Sequence, residues 1–224
     1  MSAAHHENTS SSSGIAGPTD RFWSLSHLTN HWSRPATSRS YYWYLTFENS
    51  PELLSFVKQC QKEISFPYYD LIPASGLHLT LDRIAFEGDI TLDQLRALEA
   101  AATRACDKIP PLTISVGHVG GTSGAIGFSA SPKEPIRSLR DTLREISLAI
   151  YPNAPIVDSE FLPHVAMAYC NTDAVPAAQV IESAERLSAL PCVDVAVHES
   201  ALVLLERRKR AYVWQTIARI ALSG

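Results

Sequence analysis

Two histidines in this chain have neighbours suited to proton transfer. His78 lies in Gly76-Leu77-His78-Leu79-Thr80-Leu81, and His164 in Phe161-Leu162-Pro163-His164-Val165-Ala166-Met167. Both stretches read as strands, in which successive side chains point to opposite faces. His78 and Thr80 then share one face, while Leu79 and Leu81 turn to a core. An imidazole titrates near neutrality and can exchange a proton with a bound oxygen, while a hydroxyl beside it donates to a phosphoryl oxygen. Two such groups facing each other would hold a phosphodiester. One histidine would activate the nucleophile and the other would protonate the leaving oxygen. That chemistry calls for no metal and no cofactor, and these segments contain no acidic cluster with metal-ligand spacing.

The tripeptide alone says little, since His27-Leu28-Thr29, His31-Trp32-Ser33 and His198-Glu199-Ser200 also fit His-x-Thr/Ser. Placement separates His78 and His164 from these. From Tyr41 the pattern reads as strand (41–47), helix (50–64), strand (77–85), helix (91–108) and strand (112–116). Ser50-Pro51 opens the first helix and Thr91 caps the second. The same order returns as strand (124–130), helix (135–150), strand (161–169), helix (176–190) and a closing hairpin (193–205 and 212–222). Ile136, Leu139, Leu143, Ile146 and Ile150 form one stripe of the third helix. The spacing from Tyr41 to His78 resembles that from Gly124 to His164, and the steps that follow also agree, so the halves read as a duplication. The expected fold is α+β: two pseudo-symmetric lobes, each an antiparallel sheet with helices on its outer face, around a central cleft.

Composition bounds the rest. The chain has 224 residues, 46% of them hydrophobic and 19% charged, with a net charge of −4. Its mean hydropathy is −0.03. This is a soluble globular balance and argues against non-specific coating of nucleic acid. Cys60, Cys106, Cys170 and Cys192 form no CxxC pair and read as buried, reduced thiols of a cytoplasmic protein. No apolar run suits a membrane span, and a monomer is expected. Residues 1 to about 19 are Ser-, Gly- and Ala-rich and read as a disordered tail. An apolar extension follows to residue 38, with a helix expected over Ser24–Trp32. The bilobal domain then covers 39–222. Gly117 to Gly127 reads as a flap over the cleft or a connection between lobes. Arg207-Arg208-Lys209-Arg210 reads as a solvated turn or a contact for RNA phosphates.

At its two histidine segments the sequence resembles the two-histidine (2H) phosphoesterase superfamily, which includes 2′-5′ RNA ligase-like proteins and cyclic nucleotide phosphodiesterases. The resemblance spans roughly Tyr41 to Leu222. Leu77-His78-Leu79-Thr80-Leu81 fits the first family motif, and Phe161-Leu162-Pro163-His164-Val165 fits the approach to the second. The resemblance implies His78 and His164 as the catalytic pair and Thr80 as a phosphate donor. It also implies an RNA end or nucleotide as substrate. The plant-type cyclic phosphodiesterases are similar in carrying a strand tryptophan, matched by Trp43, and a tyrosine five residues after the second histidine, matched by Tyr169. A tryptophan in a final strand matches Trp214. Trp43 and Tyr169 thereby become expected substrate contacts, although plain alternation turns Tyr169 away from His164 unless the strand bulges. Ala166 stands where the family has Thr or Ser. A binding module of the same fold, with weak or no catalysis, is therefore the rival expectation.

Overall fold

The computed structural model describes residues 21–36, 38–155 and 160–224. The expected disordered tail, residues 1 to about 19, lies outside them. The first strands in chain order are β1 (His27–Leu28), β2 (Ser40–Thr46), β3 (Tyr69–Leu71) and β4 (His78–Phe86). Next come β5 (Leu112–Thr122), β6 (Ala125–Ser131), β7 (His164–Cys170) and β8 (Val175–Pro176). The chain closes with β9 (Val193–Val197), β10 (Glu199–Arg208) and β11 (Ala211–Ala221). The long helices are α1 (Pro51–Glu63), α2 (Leu92–Cys106), α3 (Lys133–Ile150) and α4 (Ala178–Leu187).

Local chemistry sets the helix boundaries. Pro51 opens α1, where a missing N–H leaves no bond unmade. Ser50, expected to cap this helix, makes no side-chain bond there. Thr91 does cap α2: its hydroxyl accepts from the Gln94 N–H at 3.2 Å, and the Gln94 side-chain oxygen accepts from the Thr91 N–H at 3.0 Å. In α3 the buried residues Ile136, Leu139 and Leu143 form the stripe anticipated from their spacing.

Two antiparallel sheets carry the fold. One has the order β11-β10-β2-β4 and the other β3-β7-β6-β5-β9, while β1 and β8 form a separate two-stranded ribbon. Helices α2 and α3 cover the first sheet, and α1 and α4 the second. This is the α+β, two-lobed architecture expected from the repeat. The lobes are not the sequence halves, however. β5 from the first half joins the second sheet, and β10 and β11 from the second half join the first. The helices cross as well. Phe56 of α1 packs on Phe128 of β6 at 5.1 Å between ring centres. In the other direction, Arg140 of α3 donates to the Leu81 carbonyl of β4 at 3.2 Å, and Arg144 forms a forked pair with Asp82.

Four local expectations are corrected. Residues 117–127 form no flap: β5 runs through Thr122, turns at Ser123-Gly124 and returns as β6. A Cβ on Gly127 would lie 2.3 Å from the Val165 carbonyl oxygen, so the close approach of β6 and β7 demands glycine there. The stretch 193–205 is two strands, split at His198, where the chain passes from one sheet to the other. Ser24–Trp32 is no helix. It holds β1 and a single turn at His31–Ser33, whose Trp32 N–H donates to the Asn30 side chain at 2.9 Å. All four cysteines are free, but Cys192 is exposed rather than buried. Among the described residues no helix is long and apolar enough to cross a membrane.

Candidate active site

His78 and His164 each occupy the first position of their strand, β4 and β7, and these strands lie against each other across the two sheets. Both rings are anchored in the same way. The His78 Nδ1 meets the Gly76 carbonyl at 2.9 Å, and the His164 Nδ1 meets the Leu162 carbonyl at 2.8 Å. A carbonyl only accepts, so Nδ1 carries the hydrogen in each ring. In the neutral ring the lone pair is then on Nε2. Leu77 and Pro163, the residues just before the histidines, are buried and hold each entry to the strand in place.

The surroundings of the two rings differ. His78 stacks on Tyr44 at 4.3 Å and 16° between planes, and Trp214 meets it edge-on at 5.3 Å. Burial, with a smaller contribution from the charge on His164, lowers the His78 pKa to about 4, although its bond to the Gly76 carbonyl opposes the shift. The ring is therefore a neutral acceptor at physiological pH. His164 is exposed. Its partner across the ladder on β6 is Ser129, whose hydroxyl donates to the Gly117 carbonyl at 3.1 Å. Ala166 lies opposite Gly127, which in turn lies opposite Gly120, so the floor beside His164 has almost no side chains.

Thr80 is the ladder partner of Tyr44 and hydrogen-bonds its phenol. Burial raises the Tyr44 pKa, so this phenol keeps its proton. Trp43 is not in the cleft. It is 0% exposed, and its indole N–H donates to the Ser147 hydroxyl at 2.9 Å inside the core. The aromatic neighbours of His78 are Tyr44 and Trp214, and Tyr42 packs on Tyr44 behind them. The signal for Tyr42 and Tyr44 was their two-residue spacing in β2, on the face opposite Trp43.

Tyr169 does reach the cleft. The β6–β7 ladder slips between Ile126 and Gly127, leaving Met167 without a partner. Met167 and Ala168 are consequently both buried, and the bulge restores Tyr169 to the face of His164. Tyr169 lines a pocket together with Asp70, Gly76, His78, Arg210 and Tyr212. The N-terminal extension walls this corner. His31 stacks on Tyr169 at 4.1 Å and shares a 2.9 Å hydrogen bond with the Tyr212 hydroxyl. Burial first, then the charges of Arg34 and Arg207, lower the His31 pKa to about 4. Residues of the β10–β11 tip divide their tasks. Arg207 donates to the Trp32 and Arg34 carbonyls, Arg208 pairs with Glu206, and Arg210 reaches the pocket.

Comparison with known proteins returns consistent matches. A family model described as the 2′-5′ RNA ligase superfamily matches residues 47–210. No curated protein matches the chain. Among solved structures, TT0787 of Thermus thermophilus superposes with a TM-score of 0.64 at 20% identity, covering 83% of this chain and 98% of that one. LigT of E. coli, solved with 3′-AMP, gives 0.63 at 18%, covering 84% and 100%. A conserved protein of unknown function from Agrobacterium tumefaciens gives 0.53 at 13%, covering 85% and 87%.

Proposed function

This chain belongs to the 2′-5′ RNA ligase superfamily, and from that premise we propose that it is a metal-independent phosphoesterase opening a 2′,3′-cyclic phosphate or a 2′-5′ linkage at an RNA or nucleotide end. The observation that carries this reading is the paired anchoring of His78 and His164, each tied through Nδ1 to the carbonyl two residues earlier. Such anchoring leaves two Nε2 atoms available for proton transfer. LigT has been solved with 3′-AMP, ATP, NADP+ and phosphate, and these complexes support a nucleotide as the ligand of this cleft. The four free thiols suit a reducing, cytoplasmic setting.

The reaction divides between the two rings. Neutral His78 takes a proton from water as the water oxygen bonds to phosphorus. The bond from phosphorus to the leaving ribose oxygen breaks, and His164, entering the step with a proton on Nε2 as well as on Nδ1, delivers the Nε2 proton to that oxygen. Thr80, on the same face of β4 as His78, turns its hydroxyl hydrogen from the Tyr44 phenol oxygen to a non-bridging phosphoryl oxygen. Ala166 offers no such donor. Ser129, facing His164 across the ladder, supplies the hydroxyl on that side in our reading, turning its hydrogen from the Gly117 carbonyl to the phosphoryl oxygen. Tyr169 borders the nucleotide and Trp43 supports the strand from behind.

The test is hydrolysis of the four 2′,3′-cyclic mononucleotides in EDTA by the native chain, His78→Ala and His164→Ala. Turnover that survives chelation and disappears in both variants is expected; full activity in both variants would sink the assignment. Ala166 supports a second reading, a nucleotide- or RNA-end-binding module with weak catalysis. Saturable binding without turnover in the same assay would select it.

A further inference from the structure

Arg210 lines the same pocket as His78, and no residue of the proposed reaction uses it. Its Nε lies 3.3 Å from the Asp70 carboxylate, which leaves the two terminal nitrogens of the guanidinium fork unengaged among the described residues. Asp70 is itself fixed by the Trp32 indole N–H at 2.9 Å and by the Asn171 amide at 3.0 Å. The arginine is thus held along one edge while its side chain stays 59% exposed. A fork held in this way matches two oxygens of a phosphate. One carboxylate does not cancel the local charge, since Arg34 and Arg207 belong to the same corner. Their field shows in the lowered pKa of His31.

We propose that Arg210, aimed by Asp70 and Trp32, forms an anion subsite beside His78 that takes a second phosphate of the substrate. The preferred substrate class is then a nucleotide carrying the reacting phosphate at the 2′ or 3′ position and a terminal phosphate elsewhere, at its 5′ end. This rests on the phosphoesterase reading of the cleft and extends it to a substrate class. It also gives the N-terminal extension a role: Trp32 positions Asp70, and Asp70 positions Arg210.

Two measurements test it. The first compares kinetics on adenosine 2′,3′-cyclic phosphate with and without a 5′-phosphate, for the native chain, Arg210→Ala and Trp32→Phe. The native KM should be about tenfold lower for the 5′-phosphorylated form. Arg210→Ala should remove that difference while leaving kcat and the KM of the unphosphorylated form unchanged. Trp32→Phe keeps the ring but loses the donor to Asp70, and should remove part of the difference. Equal native KM values, or an Arg210→Ala loss shared by both substrates, would overturn the subsite. The second compares calorimetric binding of adenosine 2′,5′-bisphosphate and 2′-AMP, which needs no turnover. Tighter binding of the bisphosphate that depends on Arg210 sustains the subsite even if neither cyclic substrate reacts; in that case only the phosphoesterase reading fails. Equal binding of the two ligands overturns the subsite.

Discussion

His78 and His164 share a strand position and a backbone anchor, yet they stand in opposite surroundings. The face around His78 is built from Tyr42, Tyr44 and Trp214, and the face around His164 from Ala166, Gly127 and Gly120. Duplicated backbone therefore fixes where each imidazole sits, and the unrelated neighbours decide what each can do. Desolvation among aromatic rings keeps His78 uncharged and favours a base. In the proposed reaction the open floor beside His164 would leave room for a leaving group and let solvent restore the proton.

The strongest way to break this division is to remove each ring in turn. His78→Gln and His164→Gln should each lower kcat on a cyclic mononucleotide by about 10²- to 10⁴-fold. A loss confined to one variant would mean that the rings do not act as a pair. The next largest effect concerns the bare side of the cleft. Ser129→Ala should cost on the order of a hundredfold in kcat, as losing a single oxyanion donor does. Ala166→Thr in the native background should gain less than about tenfold, and it should rescue Ser129→Ala. A large gain from Ala166→Thr alone would show that Ser129 does not serve.

The pH profile sharpens the comparison further. A base with a pKa of about 4 loses activity only as pH falls through that value, so the acid limb of kcat/KM should lie near pH 4. Trp214→Ala opens His78 to water and should move this limb up toward 6.5. An unmoved limb would assign it to another group. The smallest effect is on stability. His78 and His31 both hold folded pKa values of about 4, against 6.5 for a free imidazole. Between those values the unfolded chain binds protons that the folded chain excludes. Stability should thus be full above pH 6.5 and decline as pH falls toward 4. Melting temperatures across that range, with His31→Phe shallowing the decline, check it.

Local sequence revealed much of this arrangement. The His-x-Thr pattern, the proline before His164 and the ordered repeat of strands and helices are carried by neighbouring residues, so they could be read directly. The aromatic contacts were less legible. Alternation separates Trp43 from Tyr44, but which face of β2 meets the cleft depends on its partner strands, and whether Tyr169 faces the cleft depends on a slip in the ladder with β6. Alternation within a single strand carries no record of such slips. The exchange of strands between halves was hidden for a similar reason. β5 and β10 have the same apolar character whichever sheet they join, so only three-dimensional pairing distinguishes the two outcomes.

That exchange bears on how the molecule is made. A growing chain that has emerged as far as α4 already holds both histidines, but β2 still lacks the partner that will cover its far edge. An uncovered strand edge is a template for pairing with other chains. The first lobe stays open in this way until β10 and β11 arrive, because contacts this distant in sequence form late. A nascent chain of this protein thus carries both histidines well before it has a closed sheet to hold them, and premature termination within β10 would release a sticky fragment rather than a slightly shortened fold.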